Sequence, residues 1–228
     1  MNNHKIVDIS LPLSSDFKMH TPAGVQNVQL TVDVIKEHDA VGGAGQIVRS
    51  LYARLHHGTH IDAPEHFVRG AAQVQDLALT TFIGPAVVAD VRHRGANEGI
   101  TPEDLEKAVD GIRQPGDRLL INTGWTANYG KEGYAENSPY LTPEATRWCA
   151  EEHFPIVGLD FAHTKDAPDA PSKYYTTRHF CETGVVTMGY IRNLEAIQNR
   201  RSLLIALPLA LHGVEASPVR AVVLDGEV

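Results

Sequence analysis

Cysteine is scarce in this sequence: Cys149 and Cys181 are the two among 228 residues. They lie far apart with no Cys-x-x-Cys spacing, which argues against a disulfide framework or a cysteine zinc site and suits a reducing cytoplasm. Positive charge is also in short supply. Lys and Arg number 20 against 28 Asp and Glu, the formal net charge is -8, and no basic run is longer than a pair. Without that electrostatic footprint, neither nucleic acid nor an anionic membrane is the expected partner, and a small molecule is. No apolar run reaches the roughly 18 residues of a membrane span. The opening Met1-Asn2-Asn3-His4-Lys5-Ile6 carries no signal-peptide apolar stretch, so a soluble cytoplasmic protein is expected. No repeat, low-complexity tract or long linker divides the chain, and a single domain over residues 1–228 is the expectation.

The apolar pattern predicts strands at residues 5–11, 28–35, 85–91, 118–123 and 155–160. Two helix starts punctuate them, Thr101-Pro102-Glu103-Asp104 and Thr142-Pro143-Glu144. Each has a Thr cap, Pro in the first turn and acids at the positive end of the helix dipole. Alternating strand and helix predict an α/β fold with a partly parallel sheet. Further strands at 185–188, 203–207 and 219–224 have less helix between them, which predicts a mixed sheet or a partly open barrel. Pro12, Ser14, Ser15, Thr21, Pro22 and Gly24 predict a loop reaching over a neighbouring element or subunit. Gly42, Gly43 and Gly45 lack the Gly-x-Gly-x-x-Gly order of a dinucleotide loop. Tyr129, Tyr134 and Tyr140 lie in a polar, glycine-containing stretch that suits a surface loop near a ligand.

What the chain does have is clustered histidine, in His56-His57-Gly58-Thr59-His60-Ile61-Asp62-Ala63-Pro64-Glu65-His66. His56, His60 and Asp62 are nitrogen and oxygen ligands of the kind that suit zinc or a similar divalent ion, with room left for a water. His66 is left over for acid–base work. A single histidine is more often a surface or core residue than a ligand, and His57 is read that way; four spaced groups are read as a site. Gly58 and Pro64 disfavour a continuous helix, so a strand running into a turn is expected. Its odd positions, Ile47, Leu51, Ala53 and Leu55, would face the core. Its even positions, Ser50, Tyr52, Arg54, His56, His60 and Asp62, would face the site. Two neutral imidazoles and one carboxylate leave a divalent ion net positive, which lowers the pKa of its water to about 7. His66, ordinarily near about 6.5, would take a proton from that water and return it to a leaving amine. Metal-assisted hydrolysis of an amide or ester follows.

The pattern His-x-Gly-Thr-His-x-Asp-x-Pro-x-His resembles the cyclase family of metal-dependent hydrolases, to which bacterial kynurenine formamidases and isatin hydrolases belong. The resemblance extends through Val7-Asp8-Ile9-Ser10, Gly84-Pro85-Ala86-Val87-Val88, Asn122-Thr123-Gly124-Trp125, Leu141-Thr142-Pro143-Glu144-Ala145, Val157-Gly158-Leu159-Asp160, Ile205-Ala206-Leu207-Pro208-Leu209 and Ala216-Ser217-Pro218-Val219-Arg220-Ala221-Val222. It implies a swivelling β/β/α fold around a partly open barrel, a homo-oligomer (dimer or tetramer), a zinc or manganese centre, and hydrolysis of an aryl formamide or cyclic amide or imide. It also implies that His56, His60 and Asp62 are metal ligands and His66 the catalytic histidine.

Two positions depart from the formamidase pattern. Where a second zinc would take a glutamate and a histidine, this chain has Gly189 and about Thr177, so one ion per chain is expected unless His179 or Glu182 substitutes. The family's Asp-Thr-Pro-Ser-like stretch reads Asp160-Phe161-Ala162-His163, and His163 enters as a ligand, a proton carrier, a substrate contact or a solvated loop residue. Trp125 is read as the floor of an aromatic substrate pocket or as a core tryptophan. Thr59 serves the turn, whereas Glu215, Arg220 and the Ser217-Pro218 turn are expected to hold the C-terminal strand. The alternative to a hydrolase is a metal- or ligand-binding protein on the same scaffold without hydrolase activity, and a lyase or isomerase is a third reading.

Overall fold

The computed structural model describes residues 5–13, 30–38 and 45–226. The expected loop around Ser14 to Gly24, together with Gly42 and Gly43, lies outside the described residues. In chain order the strands are β1 (Lys5–Asp8), β2 (Thr31–Lys36), β3 (Val48–Tyr52), β4 (His60–Asp62), β5 (Ile83–Asp90), β6 (Gly99–Ile100), β7 (Arg118–Asn122), β8 (Tyr140–Leu141), β9 (Ile156–Leu159), β10 (Val186–Gly189), β11 (Arg201–Ile205), β12 (Ala216–Pro218) and β13 (Val222–Asp225). The helices are α1 (Leu79–Phe82), α2 (Pro102–Val109), α3 (Pro143–Glu151) and α4 (Tyr175–Thr183).

Nine strands form one sheet in the order β1-β13-β11-β5-β7-β9-β10-β4-β12. Its centre, β5-β7-β9-β10, is parallel, and the flanking pairings are antiparallel. The sheet curls back on itself. The chain leaving β1 bridges the chain leaving β10, Ser10 to Ile191, and the chain leaving β11 bridges the chain leaving β12, Pro208 to Val219. The expected α/β class, with a mixed sheet and a partly open barrel, is borne out.

Both faces of the central strands are buried, which is why they read as unbroken apolar runs rather than alternating ones. Ala86, Val88, Leu120, Ile156 and Met188 point into a core with Ile61, Phe82 and Leu204. Their neighbours Val87, Ala89, Leu119, Ile121, Val157 and Leu159 pack beneath Leu105 of α2, Trp148 of α3 and Phe180 of α4. The two expected helix starts form as read. The Thr101 hydroxyl accepts from Asp104 N while the Asp104 carboxylate accepts from Thr101 N, and Thr142 accepts from Ala145 N.

Two features differ from the sequence reading. Residues 47–62 do not form one strand. β3 pairs only with β2 in a separate two-stranded sheet, and Leu51, expected in the core, is 61% exposed. β3 ends at Tyr52, and Gly58, with a φ of +66°, turns the chain just before β4 begins at His60. The second difference is α4, a helix that the sequence reading does not place and that has no side-chain cap from its own N-terminal residue. Its first amides donate to Asp166, from Tyr174 N at 2.6 Å and Tyr175 N at 2.8 Å. Among the described residues no helix is long and apolar enough to cross a membrane.

Candidate metal centre

The site is built on the three residues of β4. Gly58 makes the turn here with a φ of +66°, which favours glycine, and a Cβ would also meet the Leu13 side chain, 2.6 Å from Cδ2. Thr59 then fastens it. Its hydroxyl accepts from Leu11 N at 2.7 Å and donates to Tyr190 O at 2.7 Å, while its carbonyl accepts from Val219 N at 3.0 Å. β4 runs antiparallel to both β10 and β12, with His60 opposite Gly189 and Pro218, and Asp62 opposite Thr187 and Ala216. Ile61 points into the barrel core, so His60 and Asp62 share the opposite face. Pro64 opens the short 3-10 turn that carries His66.

Asp62, fully buried, is the point on which the other groups converge. His56 Nδ1 lies 2.8 Å from Asp62 Oδ1, His60 Nε2 lies 3.4 Å from the same oxygen, and His163 Nε2 lies 4.0 Å from Oδ2. The His66 ring lies over that of His56, with centroids 4.4 Å apart. Two sets of three donors each fall within 4.8 Å of one another: His56, Asp62 and His66, and His60, Asp62 and His163. The structure therefore gathers His56, His60, His66 and His163 around Asp62 in two sets, and the expected ligands His56 and His60 fall in different ones.

Hydrogen bonding orients two of the imidazoles, and burial acts on the other two. His60 Nδ1 donates to Gly58 O at 2.8 Å, which leaves Nε2 to face the Asp62 carboxylate without a hydrogen bond. His56 faces a carboxylate on each side, with Nε2 3.0 Å from Glu215 Oε1. Burial pulls the His56 pKa down, but the hydrogen bonds to Asp62 and Glu215 outweigh it and push it up to about 9. Burial acts to raise the Asp62 pKa, and the adjacent His60 and His56 overcome it to hold the carboxyl well below its usual range. Burial lowers the pKa of His66, and pushes that of His163 down to about 3, so both are neutral at pH 7.

The donor set fits a divalent ion. His60 Nε2 and Asp62 Oδ2 are buried without a hydrogen-bond partner, with His163 Nε2 facing Oδ2, an arrangement that is costly unless a cation completes it. Glu215 plays a part the sequence reading did not give it, since it holds the far nitrogen of His56, as carboxylates do for metal-binding histidines. Arg220 does hold the C-terminal strand, through Asp8 at 2.7 Å. The suggested replacements for the missing ligands do not reach the centre: His179 stacks on Tyr175, Glu182 is exposed, and among the described residues neither joins a donor cluster. Thr177 is buried within α4.

Trp125 stands one layer away. Its Nε1 donates to Tyr134 O at 2.9 Å and its ring stacks on Tyr134, which in turn lies against Tyr190. Tyr190 contacts the rings of both His60 and His163. Asp160 anchors this wall by accepting from Thr123 N, Thr123 Oγ1 and Gly124 N just ahead of Trp125. Tyr190, which no local pattern singled out, is thus the link between the aromatic wall and the histidines.

Residues 7–166 match the profile of the family described as putative cyclase. Kynurenine formamidases of Bacillus thuringiensis (strain Al Hakam) and Bacillus cereus (strain ATCC 14579) are each 30% identical to this chain over 226 residues, covering 98% of it and 99% of the relative. Among solved structures, isatin hydrolase A from Labrenzia aggregata superposes with a TM-score of 0.85 at 24% identity, covering 98% of this chain and 94% of that one. Isatin hydrolase A from Ralstonia solanacearum gives 0.84 at 24% identity, covering 97% and 92%. By its profile match and its full-length relatives, the chain belongs to the cyclase family.

Proposed function

We propose that this protein hydrolyses a small amide, an aryl formamide or a related cyclic amide or imide, using one zinc or manganese ion held by His56, His60 and Asp62. The hydrolase class rests on kinship with kynurenine formamidases along their whole length. The observation that carries the mechanism is the convergence of His56 and His60 on one buried carboxylate oxygen, with the neutral His66 ring beside them.

A bound divalent ion supplies Lewis acidity and lowers the pKa of a coordinated water to about 7. Glu215 fixes the far side of His56, and the Gly58 carbonyl fixes His60, so both rings are oriented before anything binds. His66 is poised as the base because burial keeps it unprotonated at neutral pH. It takes a proton as water attacks the carbonyl carbon and the new C–O bond forms. It then gives that proton to the nitrogen as the C–N bond breaks, releasing an amine and a carboxylic acid. The wall of Trp125, Tyr134 and Tyr190 supports an aromatic substrate, whose ring it would stack against.

Two further parts of the reading rest on the rest of the molecule. A homo-oligomer is supported by the β2–β3 hairpin, on which Val32, Val34, Ile35, Leu51 and Tyr52 are 45–67% exposed. A cytoplasmic location is supported by the two buried free thiols, Cys149 and Cys181. The test is hydrolysis of formylated aryl amines, N-formylkynurenine among them, by metal-replete and chelated protein. The expected result is chelator-sensitive turnover with kcat/KM above about 10⁴ M⁻¹s⁻¹. Metal-loaded protein that turns over no formamide, cyclic imide or lactone would instead be a metal-binding protein.

A further inference from the structure

We propose that His163 is a ligand of the same ion, reaching it through the space that Gly189 leaves open, so that the centre has four protein donors. The inference rests on the reading of this centre as a metal site and adds a residue to it. Gly189 stands directly across from His60 on β10, on the face that His60 and Asp62 share. A Cβ there would lie 2.8 Å from His163 Nδ1, 2.9 Å from His163 Cε1 and 3.2 Å from His60 Cε1. The imidazole of His163 therefore occupies the volume in which any side chain at position 189 would begin. His163 follows β9, the parallel neighbour of β10, by four residues.

The ring is built in rather than adventitious. His163 is 8% exposed and packed between His60, at 5.3 Å between centroids, and Tyr190, at 5.0 Å. Its Nε2 faces Asp62 Oδ2 at 4.0 Å, and Asp62 Oδ2 and His60 Nε2 are both buried without a hydrogen-bond partner. Two buried polar atoms without partners, beside a third ring in a group whose ligand atoms lie within 4.8 Å of each other, are accounted for together by a shared cation. A tightly packed core gives no other reason to keep both a glycine and an unpaired imidazole here. Four nitrogen and oxygen donors leave a fifth position available, to which catalytic zinc sites expand.

The test is titration of the metal-free, full-length protein with Co²⁺, read by its visible d–d absorption and by stoichiometry, with thermal melts to verify folding. Wild type is expected to take up about one equivalent per chain. His163→Ala and Gly189→Ala should each weaken Co²⁺ binding at least about tenfold and change the spectrum, the latter by displacing the ring. The double variant should be no weaker than the worse single one, because both remove the same donor. In an ordinary strand Gly189→Ala would be stabilising, so a folded Gly189→Ala protein with impaired metal binding is a readout that a structural role would not produce. Unchanged affinity and spectrum in His163→Ala, with His60→Ala abolishing uptake, would overturn the His163 assignment alone. Two equivalents in wild type would overturn the single shared ion, and none would overturn the metal centre as a whole.

Discussion

The two sides of Asp62 differ in almost every physical respect. On the outer side, His56 and Glu215 are partly exposed, at 19% and 39% of their side chains, fully hydrogen-bonded and charged. On the inner side, His60 and His163 are buried against Tyr190, and each has a ring nitrogen with no partner. The outer side is a place where protons can be exchanged with water, and the inner side is a dry socket that wants a cation. One carboxylate serves both, which explains why it alone among the groups is completely buried and yet strongly acidic.

Removing the shared group breaks the comparison outright. Asp62→Asn is expected to lose metal and to lower kcat/KM about 10³-fold or more, the scale of losing a principal electrostatic group, as checked by metal analysis and steady-state kinetics on one preparation. His66→Ala should separate the sides: turnover falls by about 10²–10³-fold, within the range for general acid–base groups, while bound metal stays at the wild-type level. Loss of metal along with activity in that variant would place His66 among the ligands instead.

Glu215→Gln sharpens the outer side more gently. It should weaken metal affinity about tenfold, as loss of a supporting carboxylate does, and it should change the pH dependence of the metal-free protein. The His56 pKa is raised from its ordinary 6.5 to about 9, so its contribution to stability is complete below pH 6.5 and is lost as pH rises through about 9. The melting temperature of metal-free wild type should therefore fall across that window, and the fall should be shallower in Glu215→Gln. Metal uptake, which must displace the proton between His56 and Asp62, should tighten over the same range. The smallest effect is expected one layer out: Trp125→Phe removes one hydrogen bond to Tyr134 O, worth about 1 kcal/mol, and should raise KM for an aryl formamide about fivefold or less.

How much of this was legible in the sequence depended on distance along the chain. His56, His60, Asp62 and His66 fall within eleven residues, and the intervening Gly58 and Pro64 announce a turn, so the core of the site could be read directly. Glu215 could not, because it meets His56 across 159 positions and sits in a segment with no chemical signature of its own. The same holds for α4: three of its nine residues are Thr, with Arg178 and Glu182 as its strong helix formers, and its cap, Asp166, lies eight residues before the first amide it binds. The central strands were legible because burial on both faces leaves a continuous apolar run. The split between β3 and β4 was not, since alternation carries through residues that pair in different sheets. Gly189 reads in the sequence as a lost ligand, but only the packing of His163 against it gives that loss a physical counterpart.

Thr59 has a consequence of a mechanical kind. A valine would match its shape, yet the hydroxyl alone both receives the Leu11 amide and gives a proton to the Tyr190 carbonyl. The N-terminal segment, the entry to β4 and the chain beyond β10 are therefore coupled as one piece, and none can shift alone without stranding a buried backbone group. A displacement of Leu11 is thus expected to be felt at His60 and at Tyr190 together, tying the segment after β1 to the wall behind the histidines.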